Sequence, residues 1–209
     1  MRDIQHFLWI AIPAAIIFSC FFPYRKRALY AMGLHSSMLR EITLIIFVMV
    51  IFGTTALKLW PVSYQELTSG LWGDIELLID RPAWDTMLNL VPFSMFIDYV
   101  ESWTVYGSSD PLSITKNILG NILLFMPLGL LPALLFREVT WKHALLIGFA
   151  MSLLTEVGQY FIMRNASIDD LMLNTFGALF GYLIYKLLHR HSSQFTEKLQ
   201  CHELRETSP

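Results

Sequence analysis

The feature that most constrains this chain is a series of long apolar segments almost without charge. Residues 4–24, 42–57 and 117–136 contain no Asp, Glu, Lys or Arg, residues 144–163 contain only Glu156, and 167–188 carry charges only near their ends. A helix needs about 20 mostly apolar residues to cross the hydrocarbon core of a bilayer. The sequence therefore predicts an all-α fold, a multi-pass transmembrane helical bundle of about five spans. Because no A-x-A cleavage site follows the first segment, we expect it to remain as an uncleaved span.

The composition also indicates that the chain is surrounded by lipid rather than by water. Only 15% of the 209 residues are charged and 55% are apolar, whereas soluble domains carry about 25% charged residues. This excludes a disordered chain and a basic nucleic-acid binder, so no nucleic-acid partner is expected. The two cysteines, Cys20 and Cys201, provide no disulfide framework.

Basic residues are concentrated on one side of the predicted spans. Ten of the fifteen lysines and arginines fall between spans 1 and 2, between spans 3 and 4, and in or after the last turn of span 5. The loop 58–116, by contrast, carries eight acids and three bases. Because cytoplasmic loops are enriched in Lys and Arg, we expect the N-terminus outside, the C-terminus in the cytoplasm and the chain in the cell membrane.

We divide the chain into a membrane domain, 1–190, and a polar cytoplasmic tail, 191–209, which we expect to be loosely structured. Within the outer loop 58–116, Leu71–Asp80 has helical spacing and Phe96–Tyr106 is rich in aromatic residues. Such segments lie along a membrane interface or cap a bundle. The alternative is that the aromatic residues serve only as interfacial anchors.

Polar residues that lipid does not tolerate fall at one depth in three spans. A carboxylate within a span costs roughly 2.5–3.5 kcal/mol, and Glu156 shares a helical face with Ser152, Thr155 and Gln159. The other polar positions lie in spans 3 and 5 and in the connection before span 5. The sequence thus predicts an outer polar cluster that binds a ligand, made of Asn121, Glu156, Gln159, Arg164, Asp169, Asp170 and Asn174.

Two interpretations of this cluster remain open at the level of sequence. The residues either bind a ligand, or they form an internal hydrogen-bond network in which Glu156 pairs with Arg164. The chain has no HExxH, GxSxG or P-loop motif. We therefore predict no catalytic residue, no metal and no cofactor, and an enzyme is the less favoured class.

At these residues the chain resembles the VanZ-like family of bacterial integral membrane proteins. The resemblance covers about 89–185 and is carried by an ordered set of motifs: Asn89-Leu-Val-Pro-Phe93, Asn117-Ile-Leu-Gly-Asn121 with Phe125-Met-Pro-Leu-Gly129, Glu156-Val-Gly-Gln159, Arg164, and Asp169-Asp170 followed by Asn174, Gly177 and Gly181. The Gly177 and Gly181 pair also predicts a close approach between helices.

The resemblance implies a membrane protein of the cell envelope, because the family's namesake confers resistance to the glycopeptide antibiotic teicoplanin. The expected partners are membrane lipid and a lipid-linked cell-wall precursor or the antibiotic itself, whose head group would bind at the outer polar cluster. The alternative is a membrane enzyme that acts on a lipid-linked or peptidoglycan substrate at the same site. A transporter or a purely structural protein is less favoured.

Overall fold

The computed structural model describes residues 2–59, 88–106, 111–161, 165–200 and 202–203, and within these ranges it confirms the all-α multi-pass fold. It contains eight helices there and four strands of two residues each. The helices are α1 Arg2–Cys20, α2 Phe22–Ala31, α3 Met38–Leu59, α4 Ser94–Tyr106, α5 Pro111–Leu135, α6 Trp141–Phe161, α7 Ile168–His191 and α8 Ser193–Lys198. The strands are β1 Leu34–His35, β2 Leu88–Asn89, β3 Ala166–Ser167 and β4 His202–Glu203.

Four of the described helices, α3, α5, α6 and α7, are long and apolar enough to cross a membrane. The first predicted span is broken, because α1 and α2 meet at an angle of 46°. Counted as one bent span, this pair gives the fifth, in agreement with the predicted number. Helix α5 runs as one helix through Pro127 and Pro132. The predicted outer helix Leu71–Asp80 lies outside the described residues.

Helices α5 and α7 pack against each other through glycine. A Cβ atom added to Gly177 would clash with the backbone of Ile122, and one added to Gly181 would overlap the backbone of Met126. The predicted close approach at this pair is therefore confirmed. Helix α6 also packs on α7, where Gly148 of α6 faces Ala178 of α7. These contacts hold α5, α6 and α7 together as the centre of the bundle.

Two short strand pairs join segments that are distant in sequence. At one end of the bundle, β2 pairs in parallel with β3, so that Asn89 lies opposite Ser167. At the other end, β1 pairs with β4 in the antiparallel sense. Each pair connects the amino-terminal and carboxy-terminal halves of the described chain.

The expectation of a loosely structured tail was wrong for residues 193–200 and 202–203. Helix α8 follows α7 after one residue, and Leu199 is buried in an apolar cluster with Ala133, Ala144 and Tyr182. The Ser37 hydroxyl donates to the carbonyl oxygen of Lys198 at 2.6 Å. Leu199, together with the buried Thr196 and Gln200, which bond to His189 and Arg137, docks a segment whose overall composition is polar.

Candidate functional site

The site begins with a lysine that sequence reasoning assigned to the outer loop. Helix α3 continues to Leu59, and Lys58 in its last turn points back into the bundle. Its Nζ donates to Asn121 Oδ1 at 2.6 Å and to Asp170 Oδ2 at 3.1 Å. Asn121 Nδ2 donates in turn to Asp170 Oδ1 at 2.9 Å. The three side chains form a closed triangle that links α3, α5 and α7.

Two residues of α6 lie at the same end as this triangle, and one of them, Gln159, is bonded to it. Gln159 Nε2 donates to the backbone oxygen of Lys58 at 3.2 Å, which satisfies a carbonyl in the last turn of α3. Glu156 Oε2 accepts a hydrogen bond from the backbone N–H of Ser167 at 3.0 Å. Both α6 side chains are buried. We call the five residues Lys58, Asn121, Glu156, Gln159 and Asp170 the polar cluster.

Asp169 has a different role from its neighbour, because it faces α4. Its carboxylate accepts from the backbone N–H groups of Phe93 at 2.5 Å and Met95 at 3.1 Å, and from the Ser94 hydroxyl at 3.1 Å. The two backbone N–H groups are donors that the start of a helix leaves without intrahelical partners. Phe93 has a positive φ of 63°, which costs energy for a bulky residue. The aspartate therefore both caps α4 and holds the turn that precedes it.

The remaining predicted residues lie apart from the polar cluster. Asn174 follows Asp170 by one helical turn, is fully buried and donates to the Ser152 hydroxyl at 2.9 Å. Arg164 lies outside the described residues. Hydrogen bonds thus join Asn121, Gln159 and Asp170 to Lys58. Glu156 lies one helical turn before Gln159 and bonds to Ser167, whereas Asp169 and Asn174 bond to other partners. Thr54, which precedes Lys58 by one helical turn, was a sequence signal that the face of α3 carrying Lys58 is polar.

The polar cluster reaches the surface of the protein on one side. The side chain of Asp170 is 21% exposed, whereas that of Lys58 is 10% exposed. Asn117 is exposed, and its Oδ1 accepts from Asn121 Nδ2 at 2.8 Å. A ligand that approaches this end therefore meets an acidic carboxylate and an amide.

An apolar cavity adjoins the polar cluster at Glu156. It has a volume of about 290 Å³ and lies between the last two turns of α6, the strands β2 and β3, and the first turn of α7. The lining is apolar except for Glu156, Ser167 and the hydroxyl of Tyr160. A charged end beside an apolar cavity is a combination that suits a molecule with a polar head and a hydrocarbon tail.

The fold and site define a multi-pass helical membrane protein with a polar cluster at one end of its bundle. The chain belongs to the VanZ/LLP1 family, whose model matches residues 42–189. This range includes every residue of the polar cluster and excludes α1 and α2. The chain is also similar to Protein VanZ of Enterococcus faecium, with 27% identity over 116 residues that cover 52% of this chain and 72% of that protein. No solved structure matches.

Proposed function

We propose that this chain is a VanZ-like protein of the cell membrane that contributes to resistance against teicoplanin-type glycopeptide antibiotics. It binds the polar head group of the drug or of a lipid-linked cell-wall precursor at the polar cluster. The observation that carries the proposal is the partly exposed Asp170 carboxylate, held in place by Lys58 and Asn121 at the edge of the bundle. The name of the relative from Enterococcus faecium supports it.

The geometry of the polar cluster favours recognition of a head group over a purely internal network. An internal network needs no exposed members, yet Asp170 and Asn117 both reach the surface. A carboxylate fixed by two donors loses little conformational freedom when a ligand binds, which improves affinity. Its remaining acceptor capacity suits the hydroxyl, amide and ammonium groups that such head groups carry.

The proposal is tested by removing the charge of the cluster without changing its shape. Asp170→Asn and Glu156→Gln are expected to lower drug resistance and to weaken retention of the drug at the cell surface by about tenfold, because a hydrogen bond to a charged group contributes roughly 1.5 kcal/mol or more. The measurements are growth inhibition and binding of a fluorescent teicoplanin-type drug to intact cells. Membrane levels of each variant are compared by immunoblot.

Asp98→Asn serves as the matched control, because Asp98 is an exposed acid on α4 away from the polar cluster. It is expected to behave as the unmodified protein does. The proposal fails if Asp170→Asn and Glu156→Gln, present at normal levels, leave both drug binding and growth inhibition unchanged.

A further inference from the structure

The cavity beside Glu156 is built from apolar side chains of four elements. Leu153 and Val157 of α6 form one wall, Leu88 and Leu90 in and after β2 form another, and Ile168 and Leu171 of α7 close the third. Apart from Glu156, Ser167 and the hydroxyl of Tyr160, the lining offers a water molecule no polar partner. Along most of its wall the cavity therefore suits an apolar occupant.

The cavity opens toward the side of α6 that faces away from the bundle. Leu153 and Val157 line it and are also 43% and 46% exposed on the protein surface, and Phe161 beside them is 72% exposed. Because α6 is long and apolar enough to cross a membrane, we expect this surface to face lipid. A hydrocarbon chain can therefore enter from the side without crossing water.

The polar boundary of the cavity fixes the direction of such a chain. Glu156 and Ser167 stand at its edge and are joined to each other through the hydrogen bond from the Ser167 N–H to Glu156 Oε2. The cavity occupies the last two turns of α6, on the side of the polar cluster. A tail in the cavity would thus place its head group at the end of the bundle that carries the polar cluster.

We propose that this cavity is a binding site for one acyl chain of a membrane amphiphile. The further statement that the head group of the same molecule contacts the polar cluster rests on the proposed function. The acyl-chain site itself stands on the apolar lining, the opening to lipid and the position near the end of a membrane-spanning helix. The expected ligand is therefore an amphiphile with a hydrocarbon tail rather than a water-soluble molecule.

The test is photocrosslinking in nanodiscs of phosphatidylethanolamine and phosphatidylglycerol. A trace of phosphatidylglycerol carries a diazirine in the half of one acyl chain that is nearer its head group, and the labelled residues are identified by mass spectrometry of the full-length protein. We expect Leu88, Leu90 and Leu171 to be labelled several-fold above Leu146, an exposed residue of α6 outside the cavity.

Two variants that fill the cavity and one matched control complete the experiment. Val157→Trp and Leu171→Trp are expected to reduce labelling at Leu88 and Leu90 several-fold. Leu154→Trp adds the same ring to an exposed position of α6 that does not line the cavity, and it leaves the labelling unchanged.

Labelling that is uniform over the lipid-facing surface, or that falls equally in Leu154→Trp, overturns the acyl-chain site. The result is separable from the test of the proposed function. Cavity labelling together with unchanged drug susceptibility in Glu156→Gln removes the resistance role and keeps the acyl-chain site. Loss of resistance in Glu156→Gln without cavity labelling keeps the resistance role and removes the acyl-chain site.

Discussion

Lys58 is the residue on which the polar end of the bundle depends. It is the cation of the triangle with Asn121 and Asp170, and its own backbone carbonyl receives the hydrogen bond from Gln159. A single residue therefore connects α3 to α5, α6 and α7. Removing its charge leaves the mostly buried Asp170 carboxylate without the ammonium group that it faces.

We predict that Lys58→Met lowers the thermal stability of the detergent-purified protein. Loss of one partner of a fully buried ion pair costs about 3–5 kcal/mol, and because Asp170 is partly exposed we expect about 2 kcal/mol here. The melting temperature is measured by size-exclusion chromatography of heated samples. Lys116→Met, which removes an exposed lysine near the start of α5, is the matched control and should change little.

Adding Asp170→Asn to Lys58→Met should recover part of the lost stability, because a neutral amide is less costly to leave without a cation. Strictly additive effects of the two substitutions would show that the ion pair contributes nothing. The recovery thus separates a specific pair from a general sensitivity of this end of the bundle.

Sequence predicted the meeting of Asn121 and Asp170, because both lie near the outer end of spans that are expected to run in the same direction. It did not predict the partner, since the hydropathy of the second span stops at its first charge, and Lys58 therefore fell into the loop. Nor did it separate Asp169 from Asp170. Successive residues on a helix point about 100° apart, so adjacent aspartates reach different neighbours, which only the packing reveals.

Among the helices, the contact between α5 and α7 is the one with the least spare room. A side chain at Gly181 would meet the backbone of Met126 and Leu130 rather than a movable side chain. Small residues permit such approach between membrane helices, where packing and not the hydrophobic effect drives association. The sequence predicted this pair because its two glycines are four residues apart.

Gly181→Ala should therefore destabilise the bundle, since α5 and α7 must separate to accept the methyl group. The expected loss is about 1–3 kcal/mol, as for overpacking in general, measured as a lower melting temperature. Gly120→Ala is the control, because a Cβ at that position of α5 meets nothing within 4 Å. An equal loss in both variants would mean that backbone freedom, and not the close approach, decides the effect.

Helix α4 is the part of the predicted outer loop that the structure describes in most detail. Its 13 residues are too few to span a bilayer. Phe96, Val100 and Trp103 repeat at helical spacing and are all exposed. The prediction that this segment lies along the membrane interface agrees with an apolar face and a short length, and it stays a prediction.

At the scale of the whole molecule, hydropathy was sufficient for the fold because each span must satisfy its own backbone in lipid. The small features were not accessible in this way. The strands β1 to β4 have two residues each, which is too short for any periodic pattern. The docking of the carboxy-terminal segment depends on a few buried side chains, Thr196, Leu199 and Gln200.

The predicted orientation can be tested from the two ends of the bundle. In a protein with Cys20→Ser and Cys201→Ser, we introduce Thr104→Cys in α4 or Gln194→Cys in α8, both at exposed positions. A membrane-impermeant maleimide should label the first in intact cells and the second only after permeabilisation, because bases concentrate on the cytoplasmic side. The opposite pattern would reverse the topology.

The cap on α4 has a consequence for the order in which the protein is made. The N–H of Phe93 bonds to Asp169, which lies 76 residues later in the chain. At about 5–20 residues per second of synthesis, the ribosome delivers that aspartate roughly 4–15 s after the residues it must hold. During this interval α4 exists without its cap and β2 without β3. This end of the molecule is therefore completed only when the last span has entered the membrane.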